Sequence, residues 1–570
     1  MKRTLLVLLL LVSFAAAAAG GWYATHAGKG DTDPASLLAM VPADTVFYSG
    51  YSKPFDPQPY LDAWHVAFPL GDKMNDAFDP KRATDEGGAA LGVLAALERM
   101  NLKQMSEGKR TATYFGASKE TVFAAYAVGA LPVLRYRLAD QETFWKRVDA
   151  AEKEAGVSVK PTDDGDATVR RYPFKAHTDD GNLQLVLATR DGYAIATLDG
   201  PGIDADHLEM ALGNSLPKRS LADSDRLQTI AKRVGTEPWA TGFIDHEAVV
   251  AGLTGDEGSD FGRMLDNITT AWGADKDLFA SLREPACRDD ARAIAALWPR
   301  TVFGITHLDE DKAEIDSRIA VESTDSDLMA EIMRLRGHIP TVSETRPPLG
   351  LGLGLNLSEV VPVMQSLLAR FSKATFKCPP LVQAQQQAMK QNVAQLGMFT
   401  AMVGDVKGVG AAFSAIKGVD DPAQISGTAT VEVATDKPDT LWQLMQGMLG
   451  LPADQAPKAG GAPVEVPGAL TQGRQVRAAI RDNALVFLIG DASLTGAAGE
   501  DNVDPNGLLS FDYDLGRMAS TIAAASKAHN GPAEGEEVAK ALNHMDLVYS
   551  GRVDASKNGF HMDIRLTPRD

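Results

Sequence analysis

Few side chains in this 570-residue chain stand at spacings that could do chemistry. A serine nucleophile served by a lysine base needs the two one helical turn apart, and Ser-x-x-Lys occurs at Ser106–Lys109, Ser215–Lys218 and Ser414–Lys417. Only the third, in "FSAIK", is expected on a helix. Neither Ser-Asp-Asn nor Lys-Thr-Gly accompanies it, so no catalytic residue is assigned. The chain has no Gly-x-Ser-x-Gly elbow, no His-Glu-x-x-His and no histidine pair at i, i+3 or i, i+4. "NVDPNG", Asn502 to Gly507, imitates the start of a calcium loop, but Tyr513 holds the twelfth position, where a bidentate glutamate is required. Gly408-x-Gly410 opens like a dinucleotide loop until Phe413 takes the place of its third glycine. No metal and no cofactor is expected from these patterns.

Acidic residues offer a second route to chemistry. Asp245 with Glu247, and Asp512 with Asp514, could be acid–base pairs if a cleft brought them together. Each pair also ends a short apolar strand and opens a helical pattern, where a carboxylate accepts from the free N–H groups of the first turn. Capping is therefore the expected role. Asp163, Asp164 and Asp166 in "TDDGDAT" are expected around a hairpin turn built on Gly165. Arg190 and Arg481 could hold a ligand, but are expected as solvated flanks of turns.

The chain contains two cysteines, Cys287 and Cys378, each opening a helical pattern. In an oxidising compartment an isolated pair is expected to be bridged; the alternative is two unrelated buried thiols. A bridge would close a loop of about 90 residues, contributing on the order of 4–5 kcal/mol in the chain-entropy model.

The compartment is suggested by the N-terminus. Lys2 and Arg3 precede "TLLVLLLLVSFAAAAAGGWYA", an export segment within residues 1–30. Small residues from Ala15 to Gly21 suit cleavage of a signal peptide. Residues 4–23 are equally suited to an uncleaved inner-membrane anchor, with Trp22 and Tyr23 at the outer interface. Either way the expected location is periplasmic, soluble or tethered. A formal net charge of −19 repels phosphate backbones, so nucleic acid is not an expected partner.

The elements that would position these residues occur twice. "ATRDGYAIATLDG" with Arg190-Asp191 is echoed by "AIRDNALVFLIGD" with Arg481-Asp482, an offset of 291. The first reads as a hairpin turning at Asp191-Gly192, and Asn483 replaces Gly192 as a residue tolerant of left-handed backbone. Thr143 and Trp145 are matched by Thr440 and Trp442 at an offset of 297, on helices that follow β-rich runs. Phe243 onward resembles Phe511 onward, with Leu515, Met518 and Ile522 on one helical face. "LGLNLSEVVPVMQSLL" has the same form, with Ser358 as cap and Val361, Met364 and Leu368 on one face. Asp316 and Arg318 match Asp563 and Arg565 at an offset of 247. Four echoes in one order predict a duplication: module 1 over 35–337, a Pro-containing linker over 338–348, and module 2 over 349–570.

"LLAMVPADTVFYSGY" resembles the opening of a group of uncharacterised bacterial secreted proteins with long α+β repeats, through Pro42, Asp44, Thr45 and Phe47. The resemblance implies an envelope location and carries no activity or site residues. The expected fold is α+β: two tandem related modules, each a largely antiparallel sheet with helices on one face. The expected function is a non-enzymatic periplasmic binding or scaffolding factor, with an envelope protein or lipid as partner. A hydrolase with an unrecognised carboxylate site, or a carrier of a hydrophobic molecule, are the alternatives.

Overall fold

The computed structural model describes residues 37–55, 78–106, 111–118, 120–175, 183–271, 279–309, 312–342, 347–390, 397, 400, 403, 405–417, 426–449, 456–467, 475–494, 502–514, 516–519 and 547–568. The expected export segment, Lys109, Leu515 and Ile522 lie outside these residues. Among the described residues no helix is long and apolar enough to cross a membrane. The chain divides into unit 1, Met1–Arg318, and unit 2, Ile319–Asp570.

Unit 1 is built on β1 (Phe47–Phe55), β2 (Thr121–Val128), β3 (Leu131–Arg137), β4 (Thr162–Asp164), β5 (Ala167–Pro173), β6 (Gln184–Arg190), β7 (Tyr193–Asp199), β8 (Thr241–Asp245) and β9 (Arg300–Asp309). They pair antiparallel in the order β9-β8-β1-β2-β3-β7-β6-β5-β4. Apolar residues crowd both faces: Leu185 to Thr189 of β6 are all buried. One face takes the helix Gln141–Ala155, which Asp140 caps by accepting from the Thr143 N–H at 3.1 Å. Its Phe144 meets Tyr136 edge-on at 6.3 Å, and Trp145 Nε1 donates to Thr189 Oγ1 at 3.1 Å. The other face takes the helix Ala205–Leu212, whose Ala211 carbonyl accepts from the buried Arg135 guanidinium at 2.7 Å. The α+β class is as expected, but unit 1 carries helices on both faces. Its central strands are apolar on alternate and intervening positions alike, and each face must be removed from water.

β10 (Glu314–Glu322) runs through the division between the units. Unit 2 contains β11 (Leu349–Leu353), β12 (Val406–Lys417), β13 (Ser426–Thr435), β14 (Val464–Glu465), β15 (Val476–Arg481), β16 (Ala484–Ile489), β17 (Leu509–Asp514), β18 (Leu547–Ser556) and β19 (Gly559–Pro568). Their antiparallel order is β19-β18-β17-β11-β12-β13-β16-β15-β14. From β9 to β5 the order in unit 1 runs the same course as that from β18 to β14 here. Individual backbone bonds correspond as well. The Asp245 N–H donates to Val46 O at 2.8 Å and the Asp514 N–H to Pro348 O at 2.8 Å. The Leu138 N–H reaches Gly192 O at 2.7 Å and the Thr435 N–H reaches Asn483 O at 2.9 Å. Arg135 stands between Ala124 and Ile195, and Glu432 between Gly410 and Val486, at the same place in the two orders; both are fully buried.

On one face of the unit 2 sheet, helix Pro438–Leu449 buries Leu441 and Trp442 against Ile480 and Leu485. The opposite face is lined by glycines of β11 and β12. A side chain at Gly352 would run into Ile339, and one at Gly410 into Val342. The alternating Gly-Leu strand thus has one tightly packed face. The segment packed on it is the first half of the expected 338–348 linker: Gly337 to Pro340 are buried, so this stretch belongs to unit 2 and is no free tether. Asn506 holds it, accepting from the Ile339 N–H at 2.7 Å and donating to the Ile339 carbonyl at 3.1 Å. Two other expectations are corrected. "FSAIK" lies in β12, where β-branched and small residues pair with β13, and is not helical. The helix Leu357–Lys373 starts at Asn356, not Ser358, and buries Val363 while Met364 stays exposed.

Candidate functional site

A cavity of about 350 Å³ lies in unit 1, lined among others by Asp44, Gly129, Asp256, Ser259, Asp260 and Phe261. Asp44 is placed by the turn Pro42–Thr45, closed by the Thr45 N–H to Pro42 O at 3.1 Å. Thr45 Oγ1 fixes this turn to the sheet, accepting from the Ala127 N–H at 3.1 Å and donating to the Ala127 carbonyl at 2.8 Å. Ser259 caps the helix Asp260–Ala271 by accepting from the Gly262 N–H at 3.1 Å. Asp256 Oδ1 accepts from the Gly258 N–H at 3.0 Å, and its other oxygen lies 3.4 Å from an Arg292 guanidinium nitrogen.

Asp260 connects the cavity to a charged network that no catalytic or metal motif in the sequence announces. Its Oδ2 lies 2.5 Å from Nε2 of His207, and its Oδ1 accepts from Arg263. Arg263 also donates to Asp204 at 2.6 Å, and Asp204 stands 3.4 Å from Nδ1 of the buried His207. Burial pushes the Asp260 carboxyl up, but the hydrogen bonds from His207 and Arg263 outweigh it and hold the group below its ordinary value. Asp260 is consequently an ionised structural anchor at neutral pH, unsuited to deliver a proton. Of the three lining carboxylates, Asp44 alone has no ion-pair partner among the described residues. A sequence signal for the network did exist: Asp204-x-x-His207 and Asp260-x-x-Arg263 each place an acid one turn before a base.

The residues singled out in the sequence mostly hold backbone. Asp245 accepts from the Ala248 N–H at 2.9 Å and Asp514 from the Arg517 N–H at 2.9 Å, so both are helix caps. Asp245 also binds Arg226 at 2.5 Å. Asp164 and Asp199 share Arg171, beside the hairpin turning at Gly165. Arg190 is not a solvated flank: it is largely buried and reaches Asn214, Asp166 and Asp191. Asn214 accepts from the guanidinium on its buried side, while Asp166 and Asp191 meet it from the solvent side. Arg481 donates to the Gly461 carbonyl at 3.1 Å, bracing a different loop. The left-handed residue of the second hairpin is Asp482, at φ 41°, matching Asp191 at φ 49°, while Asn483 does not adopt positive φ.

Ser414 donates to the Thr428 carbonyl at 3.1 Å, and Ser215 lies outside any helix. In the imitated calcium loop, Asn502 accepts from the Asp504 N–H at 3.2 Å, Asn506 clamps Ile339, and Tyr513 sits in β17 beside Phe511. Among the described residues no three His, Cys, Asp or Glu side chains are grouped as a metal ion would need. Both cysteines are disulfide-bonded: Cys287 lies in the first turn of helix Pro285–Leu297 and Cys378 caps helix Pro379–Ala388.

A second feature is an open apolar surface on unit 2. Cross-strand partners share a face, and on the face opposite the glycines they read Val409–Leu353–Leu509 and Ala411–Leu351–Phe511. Leu351, Leu353, Val409 and Leu509 are 45, 47, 37 and 41 % exposed. No family model, no curated protein and no solved structure matches the chain.

Proposed function

We propose that the chain is an exported, non-catalytic binding or scaffolding protein of the cell envelope, working through surface contacts. The observation that carries this reading is the row of exposed leucine and valine side chains on the unit 2 sheet. Contiguous exposed apolar surface on a soluble domain is characteristic of an interaction site. Export is supported by Lys2, Arg3 and the apolar run after them, and by the disulfide, since such bonds persist in oxidising compartments. The Pro42-x-Asp44-Thr45 opening agrees with an envelope setting. The test is a photo-crosslinking residue at Leu353 in living cells, followed by fractionation and N-terminal sequencing of the product. A discrete crosslinked envelope component is expected. Recovery of the chain only from the cytosol, or without any crosslink, would overturn the reading.

We also infer that the two units derive from one duplicated module. The common strand order and the two pairs of corresponding backbone bonds support this. A crystal structure in which β3 with its following helix does not superpose on β13 with its own would remove it.

A hydrolase is the second reading, favoured by the unit 1 cavity with its three aspartates. Asp44 would be the acid–base candidate. Screening the chain against ester, amide and glycosidic substrates, with Asp44→Asn as control, separates this from adventitious activity.

A further inference from the structure

We propose that the unit 1 cavity is a binding site for a small organic cation, a molecule with an apolar body and one ammonium group that pairs with Asp44. The inference is separate from the surface reading of unit 2 and concerns unit 1 alone. A volume of about 350 Å³ falls within the range of small-molecule pockets. Among the lining residues Val46 is buried, Ala248, Ala251 and Phe261 are half-buried, and Asp44 and Gly258 are exposed. An apolar recess thus opens to water beside a carboxylate.

Three carboxylates line the cavity, but two are already engaged. Asp260 is held by His207 and Arg263, and Asp256 by the Gly258 N–H at 3.0 Å and the Arg292 guanidinium at 3.4 Å. Asp44 has no ion pair among the described residues. Arg226, on the helix Arg226–Val234, lies close enough to feel its charge, but donates to the Ala43 and Thr45 carbonyls at 2.9 and 3.0 Å and to Asp245. These bonds, with those of Thr45 to Ala127, fix the turn that carries Asp44 and leave its carboxylate for a ligand. One fixed negative charge at the mouth of an apolar recess is complementary to one ammonium group on an apolar body. The cation stays partly hydrated at the rim while the body enters, so no charge is fully desolvated. An anion is not served here: Ser259 accepts, through Oγ and carbonyl, from the Gly262 and Arg263 N–H groups that would otherwise receive it. A divalent metal is equally unsuited, since one unengaged carboxylate supplies too few ligands.

The test is isothermal titration calorimetry on the full chain with phenethylammonium, using phenethyl alcohol and phenylacetate as neutral and anionic counterparts of similar shape. Binding of the ammonium at a single site is expected, about tenfold tighter than the alcohol, with no phenylacetate binding. Asp44→Asn, a change at an exposed side chain, should bring the ammonium down to the affinity of the alcohol with an unchanged far-ultraviolet spectrum. Ala248→Leu, which fills the recess, should abolish binding of both; Ala251→Leu serves the same purpose if that variant fails to fold. Calcium in excess should leave the titration unchanged. Failure of the ammonium to bind, equal affinity for phenylacetate, displacement by calcium, or indifference to Asp44→Asn would overturn the proposal, and none of these outcomes bears on the reading of unit 2.

Discussion

At the residue scale, ionised side chains in unit 1 do structural work of opposite sign. Asp260 is held below the ordinary carboxylate range by His207 and Arg263. Its folded value is depressed, so its stabilising contribution is complete above the unfolded carboxylate range and is lost as pH falls through the folded value. Glu98 is the reverse case: burial raises its carboxyl, and a hydrogen bond from Asn101 offsets part of the rise. A raised folded value costs stability as pH climbs from the unfolded value through the folded one. Melting temperatures measured across pH should therefore show Asp260→Asn losing most at neutral pH and little in acid. Glu98→Gln should gain at neutral pH, with the gain vanishing in acid. A third residue tests the indole anchor. Thr189→Val leaves the Trp145 N–H without its acceptor and should cost about 1–3 kcal/mol in urea denaturation. The acids that cap helices were legible from sequence because capping is a local geometry. The His207 network was not, since it joins side chains from two helices 53 positions apart. Only its two i, i+3 halves are written locally.

At the scale of elements, the alternation Gly350-Leu351-Gly352-Leu353 specifies two faces with different uses. The glycine face accepts the backbone of residues 337–342, and the leucine face is left to water. Ile339 is 4 % exposed between these surfaces, so Ile339→Ala should cost about 2–5 kcal/mol. Gly352→Val should cost at least as much, because Ile339 occupies the space a side chain would need. Chemical denaturation of the full chain checks both. Tight packing on one face of this strand was readable in the sequence from the glycine period. What packs there was not: three prolines with no apolar period read as a tether, yet Asn506, distant in sequence, supplies the two hydrogen bonds that fasten it. "FSAIK" shows the opposite limit, since its propensity admits a helix but pairing with β13 determines a strand.

At the scale of the whole molecule, the Cys287–Cys378 bond constrains the unfolded chain through a loop of about 90 residues, worth on the order of 4–5 kcal/mol. Cys287→Ser with Cys378→Ser should lower the melting temperature, and should do so equally with and without reductant; the parent chain should fall to the same value on reduction. An unchanged melting temperature would show that the bond is not formed in the protein as isolated.

Two sheets that share one strand order within a single chain face a hazard while folding, since either could capture the other's β-strand. Arg135 and Glu432, buried at the same place in the two orders, would act against that mistake. An arginine in β3 completes the C-terminal end of the helix Ala205–Leu212 through the Ala211 carbonyl. Were β13 to insert there instead, Glu432 would bring a carboxylate against that carbonyl, both acceptors and both negative, sealed from solvent. Unlike side chains at one shared address would then discriminate strands whose apolar patterns alone would let them interchange.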